Sequence, residues 1–381
     1  MQIIGVLAFI VALLFSVMVH EFGHYLTARH YGMKVSEFFL GFGKRLWSTQ
    51  RGETEFGIKA IPAGGYCRIE GMAPHDQMDV GEEERAFYKA SSGKKLVVLG
   101  AGSFLHFVLG YLLLFTLFSA VGTNQVLPVI GEVVASSAAQ DAGIKAGDEV
   151  ISINGVSVTN WFKDVEAIRN SEGKELTLGI KRAGEVLTIT ATPRLTDVDG
   201  KKRYVLGIIN TVGLKRSGLI QSTSYAFTAT KSFISESIKS LIKLPSKIPA
   251  LWGQTVRGEE RDANGLVGVV GVARVSGEAI GSGQLSTSER VATFILIIAS
   301  LNIFVGVFNL LPILPLDGGH MALAIADEIR AFFARLRGRP RPAAIDVTVL
   351  TPVTMAVFVI LACLTLLLLV ADVINPVNFN F

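Results

Sequence analysis

From Ile3 to Val19 the chain carries no charged residue, and His20-Glu21-Phe22-Gly23-His24 follows at once. Such a run narrows the fold more than any other feature. Inside a bilayer the backbone N–H and C=O groups find no water, so a spanning segment must pair them internally, as a helix does. A polar side chain at that depth is costly and is therefore a candidate for function. On a helix, residues four apart share a face, so His20 and His24 can each turn one imidazole nitrogen towards a single metal ion. Glu21 then stands beside the metal, able to take a proton from an attacking water. In a soluble chain the pattern H-E-x-x-H also arises by chance, as two surface histidines and a helix glutamate. The charge-free run before it makes that reading an expensive one.

Three further stretches are as apolar. The four candidate spans run from Ile3 to Ala28, Leu96 to Val121, Val291 to Leu316 and Leu350 to Val370. Each meets the length of about 20 helical residues that a bilayer requires. Half of the 381 residues are hydrophobic and only 18% are charged, a mix that fits a polytopic membrane protein with a water-exposed part and not a soluble enzyme. The net charge of +4 is modest and the basic residues are dispersed, so no nucleic-acid footprint is present. Cys67 and Cys363 lie in unlike surroundings, which implies no disulfide framework. The first apolar run lacks a basic leader and a small-residue cleavage site, and is expected to be retained.

Eleven Lys or Arg residues lie between the first two spans, among them Arg29, Lys34, Lys44, Arg45, Lys94 and Lys95. Between the last two lie Arg330, Arg335, Arg337, Arg339 and Arg341. The positive-inside rule puts both loops in the cytoplasm, and both termini and the long middle section outside. The expected organisation is a first span at 1–28, a cytoplasmic loop at 29–95 and a second span at 96–123. An extracytoplasmic domain follows at 124–213, then a linker at 214–288. A third span at 289–319, a cytoplasmic loop at 320–349, a fourth span at 350–371 and an extracytoplasmic tail at 372–381 complete it.

Within the first loop, Glu55 to Ile61 and Tyr66 to Glu70 flank Pro62-Ala63-Gly64-Gly65 and read as a β-hairpin within 53–71. It either stabilises the loop alone, or offers the free edge of Gly57, Ile58, Lys59, Ala60 and Ile61 to an extended peptide. Strand-like runs at Val129–Val134, Glu149–Ile153, Leu176–Ile180 and Leu187–Ala191, with a helical pattern at Trp161–Arg169, make the middle section a small α+β domain. Its stretch from Ala138 to Gly155, with Ala142-Gly143-Ile144, Gly147-Asp148 and Ile153-Asn154-Gly155, resembles the PDZ family, which implies a groove for an extended peptide or C-terminus. Val205 to Ile209 is a candidate for part of that groove. Residues 221–261 pattern as an amphipathic helix broken by Pro245 and Pro249, lying in the outer membrane interface or packed against the soluble domain. The Gly-rich segment 265–283 reads as a connector. Gly100, Gly102 and Ser103 in the second span allow close helix packing, and the lone His106 there reads as a hydrogen-bonded structural residue.

The third span ends in Asn309-Leu310-Leu311-Pro312-Ile313-Leu314-Pro315-Leu316-Asp317-Gly318-Gly319. The prolines stop a regular helix, so an extended segment is expected. Asp317 then falls near the cytoplasmic end of its span, at the depth of His20 and His24. Two histidines and one carboxylate, with a fourth position open, make a catalytic zinc set.

H-E-x-x-H in a first span and N-x-x-P-x-x-x-x-D-G-G in a later one resemble the two signatures of the site-2 protease family of intramembrane zinc metalloproteases. The PDZ insert between second and third spans is similar to its RseP-like bacterial branch. The Gly41-Phe42-Gly43 turn and the Arg51 to Gly57 run look most like actinobacterial members with a single PDZ domain. The resemblance implies a polytopic α-helical membrane protein with four transmembrane helices, a cytoplasmic β-hairpin and one inserted extracytoplasmic PDZ domain. It implies that His20, His24 and Asp317 hold Zn2+, that Glu21 is the base, and that Asn309 contacts the substrate or the reacting carbonyl. It also implies a bacterial inner-membrane location, with transmembrane substrates such as anti-sigma factors cut first outside by another protease, in stress signalling. A catalytically silent PDZ scaffold is the alternative of a different class, and a metal-ion transporter a third. One departure from the family is Gly102-Ser103-Phe104-Leu105-His106-Phe107, where the common pattern has Pro and Asn in place of Ser103 and His106.

Overall fold

The structure, a computed structural model, describes every residue except 73–77, 80, 159–160, 199, 263–264 and 378–381, so the last four residues of the expected tail lie outside the described residues. In chain order it opens with helix α1 (Gln2–His30), strands β1 (Val35–Arg51) and β2 (Thr54–Ile69), and helix α2 (Ser92–Thr116). Then come β3 (Thr123–Val133), α3 (Ala138–Asp141), β4 (Glu149–Ile153), β5 (Val156–Ser157), α4 (Trp161–Asp164) and α5 (Glu166–Arg169). Strands β6 (Leu176–Arg182), β7 (Glu185–Ala191), β8 (Arg194–Val198), β9 (Lys201–Val205) and β10 (Ile208–Lys215) follow. Helices α6 (Leu219–Val256), α7 (Val269–Gly281), α8 (Thr287–Asn309), α9 (Asp317–Leu336) and α10 (Thr351–Ile374) end the chain. Two compact units result, one of residues 1–119 with 218–381 and one of residues 120–217.

In the first unit, four helices are long and apolar enough to cross a membrane: Gln2–His30, Ser92–Val121, Thr287–Asn309 and Val347–Ile374. They overlap the four expected spans, the third ending at Asn309 and not at Leu316. Helix α8 starts at a full capping box, Ser286 and Glu289 satisfying each other's backbone N–H groups. Several connecting segments differ from expectation. Helix α6 runs unbroken through Pro245 and Pro249. Each proline removes one backbone bond, but its fixed φ is itself helical, and the helix packs on α2, α8 and α10. The Gly-rich segment is no connector but contains α7, whose Gly277 lets it lie on α1: a Cβ there would stand 2.8 Å from Val6 and 2.9 Å from the Gln2 carbonyl. Most of the expected loop 320–349 is helix α9.

The hairpin is larger than the sequence suggested. The whole of β1 precedes it and pairs with β2 in an irregular ribbon. Gly41 and Gly43, at φ of +87° and +82°, bend β1 on itself as few other residues could. Residues 37–40 therefore meet both Glu55–Ile58 and Gly65–Arg68, while 47–51 meet 54–58. Ala28, Met33, Val35, Ile69, Phe87, Val98 and Leu99 form one buried cluster that pins the ends of the ribbon to α1 and α2.

The second unit is β-rich. Strands β10, β3, β4, β6 and β7 lie side by side in that order, with β5 paired to β4, and β8 pairs with β9 in a separate ribbon. Its core gathers Ile130, Ile144, Val150, Ile153, Trp161, Leu178, Ile180 and Leu206. The four expected strands and the helical stretch are all present, the last as two single turns. Asp148 is buried and receives Arg182 through both guanidinium arms, at 2.7 and 2.8 Å, together with the Lys145 N–H at 2.8 Å.

That cluster makes the unit's stability depend on pH. Hydrogen bonds and charge from Arg182 hold the Asp148 carboxyl below the usual carboxylate range. A depressed folded-state pKa stabilises above the unfolded value of about 4 and loses that contribution as pH falls through the folded one. Residues 120–217 expressed alone, with their own core, should show a Tm that is level near neutrality and drops on acidification below about pH 4. Asp148→Asn should lower the neutral Tm and flatten the acid limb, as read by thermal melts across pH.

Candidate active site

Helix α1 presents His20 and His24 one turn apart, and the first residue of α9 presents Asp317. His20 Nε2 lies 3.0 Å from His24 Nε2, and Asp317 Oδ2 lies 3.2 and 3.4 Å from the two nitrogens. Zinc bonds of about 2.0–2.1 Å arranged tetrahedrally put neighbouring donors about 3.3 Å apart, so these three atoms match three corners of such a site. His24 Nδ1 lies 2.8 Å from the Val98 carbonyl, which can only accept; Nδ1 therefore carries the proton and Nε2 is free to ligate. Asp317 Oδ2 is buried and without a hydrogen bond of its own. Bare donor atoms facing one another repel unless a cation sits among them, and among the described residues this is the one group of three or more His, Cys, Asp or Glu side chains that converges so. The residues present fit zinc.

Two close backbone contacts make this possible. A Cβ on Gly23 would stand 2.7 Å from the Ala101 carbonyl. One on Gly102 would stand 2.5 Å from His20 Cε1 and 2.6 Å from His24 Nε2. Both imidazoles thus rest on a bare stretch of α2. At the other side, α8 ends at Asn309 and the chain folds back through turns at 310–316 and not in an extended segment, the prolines sitting in the turns. The backbone at Leu310 and Leu311 comes within 2.3 Å of where a Gly318 Cβ would be. The two glycines after Asp317 let the turns pack on the first turn of α9, which aims the carboxylate at α1.

Glu21 accepts the backbone N–H of Cys67 from β2. Two cavities meet at the site. One, of about 240 Å3, is lined by His20, Glu21, His106, Asn309 and Asp317. The other, of about 380 Å3, is lined by Glu21, His24, Tyr66, Cys67, Arg68 and Ile69 among others. Asn309 is thus brought to the site with the two histidines, Glu21 and Asp317. The residues Gly57–Ile61 are not. Gly57 and Ile58 have strand partners on both sides, Trp47 and Ser48 on one and Phe39 and Leu40 on the other, so they present no free edge. The ribbon edge that reaches Glu21 is Gly65–Arg68. Its first member is close enough that a Gly65 Cβ would lie 3.5 Å from Glu21 Cγ. Sequence reasoning missed this edge because the fold of β1 back between the two arms of β2 is set by the glycine bends at Gly41 and Gly43, remote from it in sequence. His106 is hydrogen-bonded to Asn302, as expected of a structural histidine, and also lines the cavity, a placement not legible in the residues alone. Burial pushes the Cys67 thiol well up, which removes the one cysteine of the site as a thiolate nucleophile.

The seat of the histidines can be tested. Gly102→Ala should expel or displace them, so the purified protein should hold well under one zinc per chain and lose activity in proportion. Gly100→Ala is the control, because its Cβ would meet only Met321 at 3.7 Å; zinc analysis should find it fully loaded. Asp317→Ala should also lower bound zinc.

Comparison with known proteins agrees with this geometry. Zinc metalloprotease Rip1 of Mycobacterium tuberculosis is 33% identical over 413 residues, covering 99% of each chain. Its namesake in Mycolicibacterium smegmatis is 34% identical over 407 residues, covering 98% of each. Residues 8–358 match the model of peptidase family M50, the site-2 proteases. The chain belongs to that family and is a zinc metalloprotease of the membrane.

Proposed function

We propose that this zinc metalloprotease hydrolyses peptide bonds inside the bilayer, in single-span membrane proteins of the anti-sigma-factor kind, after another protease has trimmed them outside. The observation that carries the reading is the convergence of His20, His24 and Asp317 beside Glu21 at the ends of apolar helices. Zinc, when bound there, polarises the scissile carbonyl and makes water a better nucleophile at neutral pH. Glu21 takes the proton of the attacking water on its carboxylate and returns it to the leaving amine. The Cys67 N–H holds that carboxylate in place. Asn309, in the same cavity, can donate its amide N–H to the oxygen of the reacting carbonyl.

A substrate helix has every backbone group paired, so it must unwind before cleavage, and each freed group is expensive at membrane depth. Gly65–Arg68 is a strand edge lying against Glu21, and an unwound segment can pair with it. The β-rich unit acts as a PDZ domain: β10 is the edge strand of its sheet, and an extended peptide end can add to such an edge. That unit either reads the trimmed end or excludes untrimmed substrates by size. The basic loops put the active site near the cytoplasmic face of the inner membrane, both termini outside.

Glu21→Gln should retain one zinc per chain and lose cleavage of a transmembrane reporter in liposomes by at least about 100-fold. Normal cleavage by this variant would remove Glu21 from the mechanism.

A further inference from the structure

His106 is fully buried in α2, yet it lines the same cavity as His20, Glu21, Asn309 and Asp317. Among the described residues the atoms that converge on the metal position belong to His20, His24 and Asp317, so His106 is not a ligand. Its ring is centred 5.0 Å from that of His20 and tilted by 38°.

The surrounding hydrogen bonds decide which nitrogen carries its proton. Ser16 Oγ donates to the Ala12 carbonyl at 2.8 Å, which leaves it to accept from Asn302 Nδ2 at 3.1 Å. The Ile298 carbonyl, an acceptor only, takes the second Nδ2 proton at 2.8 Å. The Asn302 amide is thereby oriented, with Oδ1 facing His106 Nδ1 at 2.9 Å. That oxygen has no proton to give, so Nδ1 is the protonated nitrogen, and Nε2 of the neutral ring is a bare lone pair. The chain of bonds spans α1, α8 and α2, and its only open end is this lone pair.

Glu21 removes one proton of the attacking water, and the orientation of the oxygen is fixed only if the other O–H also has an acceptor held in the site. The two ligand nitrogens and Asp317 Oδ2 are committed to the metal. We propose that His106 is a further catalytic residue: its Nε2 accepts the second O–H of the attacking water and turns the oxygen lone pair towards the scissile carbonyl, while Asn302 and Ser16 hold the ring in the tautomer that can accept. His106 makes and breaks no bond; the proton that leaves the water goes to Glu21. The inference rests on the peptidase reading above.

The test uses the full-length chain in liposomes with a transmembrane reporter. His106→Phe keeps the ring's bulk and removes Nε2, whereas His106→Gln brings an amide oxygen to the Nε2 position. Both should keep wild-type zinc content and KM, with kcat down about 10- to 100-fold in the phenylalanine variant and within about threefold of wild type in the glutamine variant. Asn302→Leu leaves the imidazole but frees its tautomer, and should lower kcat with KM unchanged. A wild-type kcat in His106→Phe overturns the proposal. So does a loss of zinc in step with activity, which assigns His106 to support of the ligands. Glu21→Gln separates the two levels: if wild type and His106→Phe cleave alike and Glu21→Gln does not, the inference fails while the peptidase reading stands. If wild type itself does not cleave, the reading fails too.

Discussion

The backbones of α1 and α2 meet at Gly23 and Gly102, and the metal centre is built on that contact. In lipid there is little hydrophobic gain when one apolar helix touches another, so close packing of small residues and polar bonds must hold them together. Here both act at one place. The missing side chain at Gly102 leaves room for two imidazoles, and the nearby Val98 carbonyl fixes the tautomer of one of them. A ligand set assembled this way is rigid before any metal arrives, because the backbone positions of its supports are set by contacts that no rotamer change can relax.

The third ligand solves a different problem. Asp317 lies nearly 300 residues from His20 and must reach the same depth from another span. Its helix α9 begins where the chain has already turned back from α8, and the glycines at 318 and 319 let the turn lie directly on the new helix. The carboxylate sits at the N-terminus of α9, where free N–H groups favour a negative charge.

Much of this was legible in the residues alone, because charge-free runs and basic loops report membrane depth directly. The four apolar helices and the His20–His24 pair are found where those runs placed them. What depth does not report is lateral neighbourhood. The helix α7 is hidden in a segment that composition marks as a loop, since its glycines serve packing on α1 and not flexibility. The prolines of α6 look like breaks because the helix packing that overrides them comes from α2, α8 and α10, all remote in sequence. Gly57 and Ile58 are paired on both sides and Gly65–Arg68 on one, because strand order depends on how β1 bends, which the sequence pattern does not report. His106 is hydrogen-bonded and buried, as its sequence setting suggests, but its partners Asn302 and Ser16 lie on two other helices and could not be named from the sequence.

Two of the polar ties in the helical unit bear on which parts stay fixed. One tie, Ser16 to Asn302 to His106, links α1, α8 and α2 beside the site. The other joins the buried pair Arg261 and Asp372 at 2.9 Å, with Asp372 also accepting the Gly271 N–H at 2.8 Å and Arg261 donating to the Asn375 carbonyl at 3.1 Å. This second cluster fastens the end of α10 to α7 and to the segment after α6. Between its ends α10 leaves Val353, Phe358, Ile360 and Leu366 exposed within the unit, as a lipid-facing helix would. Helices α1, α8 and α2 are bonded to one another through Ser16, Asn302 and His106, whereas among the described residues the side-chain tie of α10 to other helices lies at its C-terminal end. A bilayer gives α10 no strong reason to press on its neighbours, so the geometry of the metal centre is set by α1, α2, α8 and the first turn of α9, independently of where α10 stands along its middle.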